Sequence, residues 1–395
     1  MLKQHLLKKS WPDSFLTYGF MAFIAMTGLS YMNFMPGVVN ALAKGIGFSE
    51  AAAGQIIAMN GYGGILGSSI AIFLIRRARW QPAMFYALAT LLVFEAGTAW
   101  IDSYDAMLIW RFLAGTLGGL SVGIAFSVLA RLNNPDRAFG LLLFIQFSIG
   151  SVVMSLLPAL ESLLNAYAVF YIMASFVLLS LFFLPFLPPL SKEEVSQELS
   201  EKRENLSINC LLILLAIFFY QLAASAIWAY VGLIGLSAGI ASDNVSFYIA
   251  ITGLLGLAGA MLPVIQKETA GRSYLISSGI ILSAGAAVML NYSQIASIYV
   301  LSMSLLFFSW PAVLSGLLAV TAELDISGRL STIAAVVSSL GMASGPLLAS
   351  VLLNKDDFSF MLYSCSAIFL TGLILIVKPV KARKESTRQI TATYP

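Results

Sequence analysis

The sequence predicts an all-α membrane protein of twelve transmembrane helices, arranged as two pseudo-symmetric six-helix bundles. Three observations carry that prediction. Of 395 residues, 59% are hydrophobic and only 10% are charged, whereas soluble domains average about 25% charged. Such a chain cannot cover a water-facing surface. A span of about 20 residues plus its connector takes roughly 33, so the chain length holds about 12 of them. Lysine and arginine are also sorted: with the N-terminus inside, 19 of 22 fall in segments on one side. Only Lys44 and Lys355 fall on the other, and Arg111 lies within a span. The basic side is the cytoplasmic one, which places both termini there. The net charge of +3 is too even to argue for nucleic acid. Cys210 and Cys365 sit in apolar runs and read as small packing groups, with no disulfide framework.

Taken in order, the first span covers 14–38. It follows a basic start and precedes Ala41-Leu42-Ala43, which mimics a cleavage site, but its apolar run is too long for a signal peptide. It is read as an uncleaved helix. The second span, 51–75, carries Gly67 and runs into Arg76-Arg77-Ala78-Arg79. The third, 83–101, holds Glu95 near its outer end, and the fourth, 106–130, holds Arg111 near its outer start. At 1.5 Å per residue both lie roughly 8–9 Å below the outer surface. Asn134-Pro135-Asp136-Arg137 leads into the fifth span, 138–159, and the sixth is 166–187. The stretch 188–206 breaks the pattern with Lys192, Glu193, Glu194, Glu198, Glu201, Lys202, Arg203 and Glu204, and reads as a solvated cytoplasmic linker. The second half repeats the layout at 207–235, 245–266, 273–291, 295–321, 330–353 and 358–378. The expected divisions are a bundle over 1–187, the linker 188–206, a bundle over 207–378 and a cytoplasmic tail over 379–395.

The halves echo each other beyond their helix count. Gly67 precedes the basic turn at Arg76, and Gly256 and Gly259 precede Lys267-Glu268-Thr269-Ala270-Gly271-Arg272. Asp136 and Arg137 stand ahead of span 5, as Asp325 and Arg329 stand ahead of span 11. Repeats around a midplane site are how many secondary transporters are built. On these features the chain resembles the major facilitator superfamily over nearly all its length. Leu108, Arg111, Gly115 and Gly119 are similar to the superfamily's fourth-helix pattern, and Gly67 through Arg79 to its loop 2–3 signature. Two departures stand out. The aspartate expected at the end of helix 2 is replaced, at the candidate positions, by Ala71 or Ile72. The Gly-Pro element that drug antiporters carry in helix 5 is absent there, where the chain reads Gly150-Ser151-Val152-Val153-Met154-Ser155. The resemblance implies a secondary transporter akin to the 12-helix drug and metabolite efflux branch. It also implies a cavity lined by helices 1, 2, 4, 5, 7, 8, 10 and 11, and gives Gly67, Arg76, Arg77, Asp136, Arg137, Asp325 and Arg329 a gating or loop-motif role.

Ionisable groups within hydrocarbon are costly and are functional candidates by default. Here they are Arg111 and Glu95, carried by neighbouring helices at one depth. One reading is a neutralised pair that only ties helices 3 and 4 together. The other gives Arg111 to the substrate cavity and makes Glu95 its partner in proton coupling. Glu161 at the outer rim of span 5 reads as solvated, and Glu323 with Asp325 as a loop-fixing cluster. The remaining cavity candidates are polar and aromatic groups near mid-span: Thr27, Tyr31, Asn60, Gln146, Ser148, Tyr220, Gln221, Trp228, Tyr248, Ser309 and Trp310, with Pro311 beside the last. Any one of them could equally hydrogen-bond a neighbouring helix. Together, amides and aromatic faces suit a mid-sized amphipathic molecule. Gly61, Gly63, Gly64, Gly67, Gly115 and Gly119 read first as packing positions.

His5 is the lone histidine, so no histidine relay or histidine metal site is available, and no Walker lysine is present. No cofactor is expected. The leading expectation is proton-coupled efflux of a small neutral or anionic organic solute by a monomer in the lipid bilayer of a plasma membrane, a bacterial inner membrane. The alternatives are a proton-coupled uptake symporter of an organic anion or metabolite and a passive lipid or solute facilitator without ion coupling. An enzyme is not expected, because no paired surface carboxylates or metal set appear.

Overall fold

The computed structural model describes residues 14–188, 207–265, 269–324, 329–354 and 357–393. The chain divides into two compact units, residues 1–195 and 196–395. Among the described residues, twelve helices are long and apolar enough to cross a membrane, six in each unit. The expected fold class is the observed one.

The first unit contains α1 (Phe15–Asn33), α2 (Met35–Asn40), α3 (Glu50–Arg77), α4 (Trp80–Gly97), α5 (Tyr104–Leu129), α6 (Pro135–Leu163) and α7 (Ala168–Phe183). Short polar side chains start four of them. Ser14 accepts the Thr17 N–H at 3.2 Å, and Ser49 accepts that of Ala52 at 3.1 Å. Ser103 accepts the Ala106 N–H at 3.3 Å, and Asn134 accepts the Arg137 N–H at 3.0 Å. Each satisfies a first-turn donor that no carbonyl can reach. Pro135 fits the first turn of α6, where its missing N–H costs nothing.

The first span is not the single run that hydropathy suggests. Phe34 leaves helical geometry (φ −103°, ψ 18°), and α2 restarts with Pro36 in its first turn. A proline ring clashes with the preceding turn of a continuing helix, so the break belongs there. A π-helical turn, Ala41–Ile46, then leads to Gly47 at φ +99°, a left-handed conformation suited to glycine.

The closest helix packing in this unit joins α3 to α5. A Cβ on Gly63 or Gly67 would overlap the carbonyl oxygen of Phe112 or Thr116, and one on Gly115 or Gly119 would overlap that of Asn60 or Gly64. Two glycines per helix, four residues apart, therefore bring the two backbones into direct contact. An apolar core of Met21, Ile24, Ala25, Met84, Leu88, Ile124 and Val128 continues from this seam.

The second unit contains α8 (Ile208–Ser237), α9 (Ser242–Gly253), α10 (Leu255–Ile265), α11 (Thr269–Met289), α12 (Ala296–Leu324), α13 (Arg329–Leu352) and α14 (Ser359–Thr393). Ser207 caps α8 by accepting the Cys210 N–H at 3.3 Å. Helix α8 is apolar on all sides and buried along most of its length, as a helix without a polar stripe must be. It packs on α13, where Gly341 and Gly345 lie against the Phe218 and Leu222 carbonyl oxygens, each 2.6 Å from a notional Cβ. Gly259 brings α10 onto the Phe308 carbonyl of α12. The eighth span is interrupted at Leu254, with Gly253 and Gly256, poor helix formers, on either side. The last helix runs on to Thr393, well beyond the apolar run that ends near 378, because Ala382, Arg383, Lys384, Glu385 and Gln389 are good helix formers. Asp357 accepts the Ser359 N–H at 2.9 Å just before that helix, and this bonding holds its carboxyl below the ordinary range. Cys210 and Cys365 are free and buried.

Candidate functional site

Helix α5 carries Arg111 two turns past its Ser103 cap, and the side chain is completely buried, at 0% exposure. Its guanidinium is gripped as a fork. Nη1 donates to Glu95 Oε2 at 2.9 Å and to Thr98 Oγ1 at 3.1 Å. Nη2 donates to Glu95 Oε1 at 3.0 Å and to Asn60 Oδ1 at 3.1 Å. The Thr98 hydroxyl hydrogen is directed to the Phe94 carbonyl, which leaves its oxygen free to accept from the arginine. Two aromatic rings close the remaining sides: Tyr31 at 4.4 Å and Phe170 at 5.2 Å from the guanidinium carbon. Arg111 Nε and the Tyr31 hydroxyl are the two buried polar atoms of this cluster without a well-formed hydrogen bond among the described residues.

The local sequence explains the assembly. Gly115, one turn after Arg111, admits the α3 backbone at Asn60 and so brings the Asn60 amide alongside the guanidinium. Glu95 reaches it from the last turn of α4, and Thr98 from the 3-10 turn that follows. Parallel N–H···O bonds to both carboxylate oxygens suit a planar guanidinium and would not be reproduced by lysine. Among the described residues, Glu95 and Arg111 are the buried members of the Asp, Glu, Lys and Arg set.

The second unit holds a neutral counterpart. Gln221, in the middle of α8 and 2% exposed, accepts from Trp310 Nε1 at 2.6 Å and donates to Ser338 Oγ at 2.9 Å. Gly341, one turn beyond Ser338, lets α13 approach, since a Cβ there would stand 2.9 Å from Gln221 Cβ. Pro311 follows Trp310 inside α12 and withholds an N–H from the preceding turn. Trp228 meets Phe307 edge-on at 5.0 Å, and Tyr248 lies tilted against Tyr299 at 6.4 Å. The Tyr299 hydroxyl donates to the Val231 carbonyl at 2.9 Å, and the Tyr220 hydroxyl bonds Ser283 at 3.1 Å.

The structure thus brings together Tyr31, Asn60, Glu95 and Arg111, and separately Gln221 and Trp310. Trp228 and Tyr248 make the ring contacts above, and Gln146 lies on α6. Gln146 is half-buried, and its backbone carbonyl accepts from Asn33 Nδ2 at 3.0 Å. Thr27 pairs with Ser180 at 2.9 Å. Gly67 is a packing position against Thr116, Arg76 and Arg77 end α3, and Asp136 and Arg137 are exposed in the first turn of α6. Arg137 lies 5.8 Å from the Phe15 ring and 5.4 Å from that of Tyr18. Arg329 opens α13, whereas Asp325, the Lys267-Glu268 pair and the 189–206 part of the linker lie outside the described residues. Thr98, Phe170, Ser338 and Asn33 belong to these clusters and contacts without having been singled out in the sequence. Asn33 was findable, being a mid-span amide two residues from Tyr31. Among the described residues no group of three His, Cys, Asp or Glu could hold a metal ion.

The sequence model of the Major Facilitator Superfamily matches residues 19–325. No curated protein matches the chain in sequence. Transporters of known structure share its fold, among them the following three. The nucleoside transporter NupG has a TM-score of 0.72 at 12% identity, over 93% of this chain and 98% of its own. A D-xylose-proton symporter gives 0.68 at 18% identity, over 91% and 95%. The POT family transporter PepTSo gives 0.71 at 13% identity, over 95% and 99%.

Proposed function

The chain belongs to the Major Facilitator Superfamily and is a transporter rather than an enzyme, and from that premise we propose that it moves a small, amphipathic organic solute, neutral or anionic, by proton-coupled alternating access. The nominal direction is efflux. The observation that carries this reading is the Glu95–Arg111 pair at 2.9 Å, buried within a membrane-spanning unit. A charge pair there is expensive to hold, and hydrophobic residues would pack the same helices at less cost. A carboxylate that exchanges its proton against a fixed guanidinium is a coupling device, and a guanidinium that loses its partner is an anion site. The D-xylose-proton symporter among the fold neighbours gives proton coupling a precedent on this architecture. Gln221 and Trp310 supply the matching neutral recognition, an amide and an indole edge on α8 and α12.

An amide facing lipid would cost several kcal/mol, so Gln221 faces the interior of its unit, and the proposal puts it on the solute pathway there. On this reading a Gln221→Cys variant reacts with small water-soluble thiol reagents, and substrate slows the reaction. Cys210 and Cys365 are buried and give a low background. Protection of position 221 in every state would count against it.

Both termini and the linker are assigned to the cytoplasm by the 19-to-2 division of basic residues. A cytoplasm-dependent reporter fused after Pro395, or inserted near Glu198, should be active. Labelling of either site from outside intact cells would overturn the assignment. A thermal-shift screen of the purified protein against metabolite and drug libraries identifies the solute class, and the reading expects organic acids and neutral amphiphiles ahead of polycations.

A further inference from the structure

At the end of the first unit that carries Arg77, Arg79 and Arg131, helices α3 and α5 leave a groove of about 230 Å³. Its walls are Ser68, Ala71, Ile72 and Ile75 of α3, with Gly123 and Ser127 of α5, and Arg131 stands at its rim. Gly123 sets how closely the two helices meet beside it. A Cβ there would overlap that of Ala71 and come within 3.3 Å of the Ser68 carbonyl oxygen. The Ser68 hydroxyl is engaged by the Gly64 and Gly119 carbonyls at 2.9 and 3.1 Å, so it offers the groove little polarity. Ile72, on the outer wall, is 56% exposed. Arg131 is exposed and makes no ion pair among the described residues. Arg137, at the same end, differs in lying over Phe15 and Tyr18.

An apolar trough at the side of a membrane-spanning helix pair, closed at one end by an unpaired guanidinium, matches one kind of molecule. We propose that this groove binds an anionic phospholipid, with an acyl chain along Ile72 and Ile75 and the phosphate on Arg131. A guanidinium pairs with phosphate through two parallel N–H···O bonds, and basic residues at the membrane surface select anionic head groups. The proposal does not depend on what the protein transports.

The test uses the full chain in detergent with added phosphatidylglycerol or phosphatidylcholine, read by thermal midpoint and by native mass spectrometry for retained lipid. Phosphatidylglycerol should raise the midpoint more than phosphatidylcholine and remain bound. Arg131→Gln should erase the difference between the two lipids, and Arg131→Lys should keep part of it. Ser127→Phe, which fills the trough, should lose the retained lipid, while Arg137→Gln should leave both readouts intact. Retention of the phosphatidylglycerol preference in Arg131→Gln would overturn the site. Equal loss in Arg137→Gln would overturn it too, by reducing the effect to the bulk charge of this end. An equal midpoint shift from inorganic phosphate alone would replace the lipid with a free anion.

Discussion

A Gly119→Val variant should fail to assemble its first unit. A Cβ at position 119 overlaps the Gly64 carbonyl oxygen and stands 2.6 and 2.7 Å from the carbonyl carbon and Cα of Gly64. All of these are backbone atoms, so no rotamer change relieves the clash and α3 must move off α5. Overpacking a tight core costs about 1–3 kcal/mol even when side chains can give way, and here nothing can. The expected loss is at least about 3 kcal/mol. Gly67→Val should behave alike, with the Leu120 amide nitrogen 2.6 Å from the new Cβ. Gly140→Ala and Gly19→Ala are the controls, because nothing lies within 4 Å of a Cβ at either position. They should be neutral or gain about 0.5–1 kcal/mol from helix propensity. Monodispersity on gel filtration and the unfolding midpoint of the purified variants decide the matter. A Gly119→Val protein as stable as the wild type would mean that the two helices do not meet on their glycines.

Arg111→Met should cost about 3–5 kcal/mol of stability, because it leaves the Glu95 carboxylate buried with no counter-charge. Glu95→Gln should cost less. Its amide oxygen still accepts one guanidinium N–H, and Asn60, Thr98 and the Tyr31 ring keep holding Arg111. The Arg111→Met, Glu95→Gln double variant should recover much of what Arg111→Met loses, since neither charge is then stranded. Unfolding midpoints of the four proteins form a cycle whose interaction free energy isolates the pair. A double variant no more stable than Arg111→Met alone would show that the arginine's packing, rather than its charge partner, is what the unit needs.

Much of this was readable from the chain. The spans were legible because hydrocarbon tolerates only long apolar helices, and the caps at Ser14, Ser49, Ser103, Asn134 and Ser207 are local chemistry. Glu95 and Arg111 could be paired from depth alone, since few other ionisable side chains compete within the spans. The break at Phe34 was foreshadowed by Pro36, but hydropathy averages over it. The rest depends on tertiary contact. Phe170 enters the arginine cluster from the sixth span, and nothing in its own neighbourhood distinguishes it from other core phenylalanines. Thr98 and Ser338 are small hydroxyl residues of a common kind, and only the approach of α4 to α5, and of α13 to α8, gives them acceptor roles. Gln221 and Trp310 were each visible as unusual mid-span residues, whereas their direct bond required knowing that α8 meets α12.

The account stands or falls on whether the Glu95–Arg111 pair belongs to the transport machinery. The direct measurement is solute accumulation in proteoliposomes under an imposed pH gradient, using the compound that gives the largest thermal shift. Wild-type protein should accumulate it against its gradient and dissipate the pH difference as it does so. The Arg111→Met, Glu95→Gln double variant should insert to the same level yet accumulate nothing, and Glu95→Gln alone should show a partial defect. Full active transport by the double variant would contradict the account and leave the pair as a tie between α4 and α5.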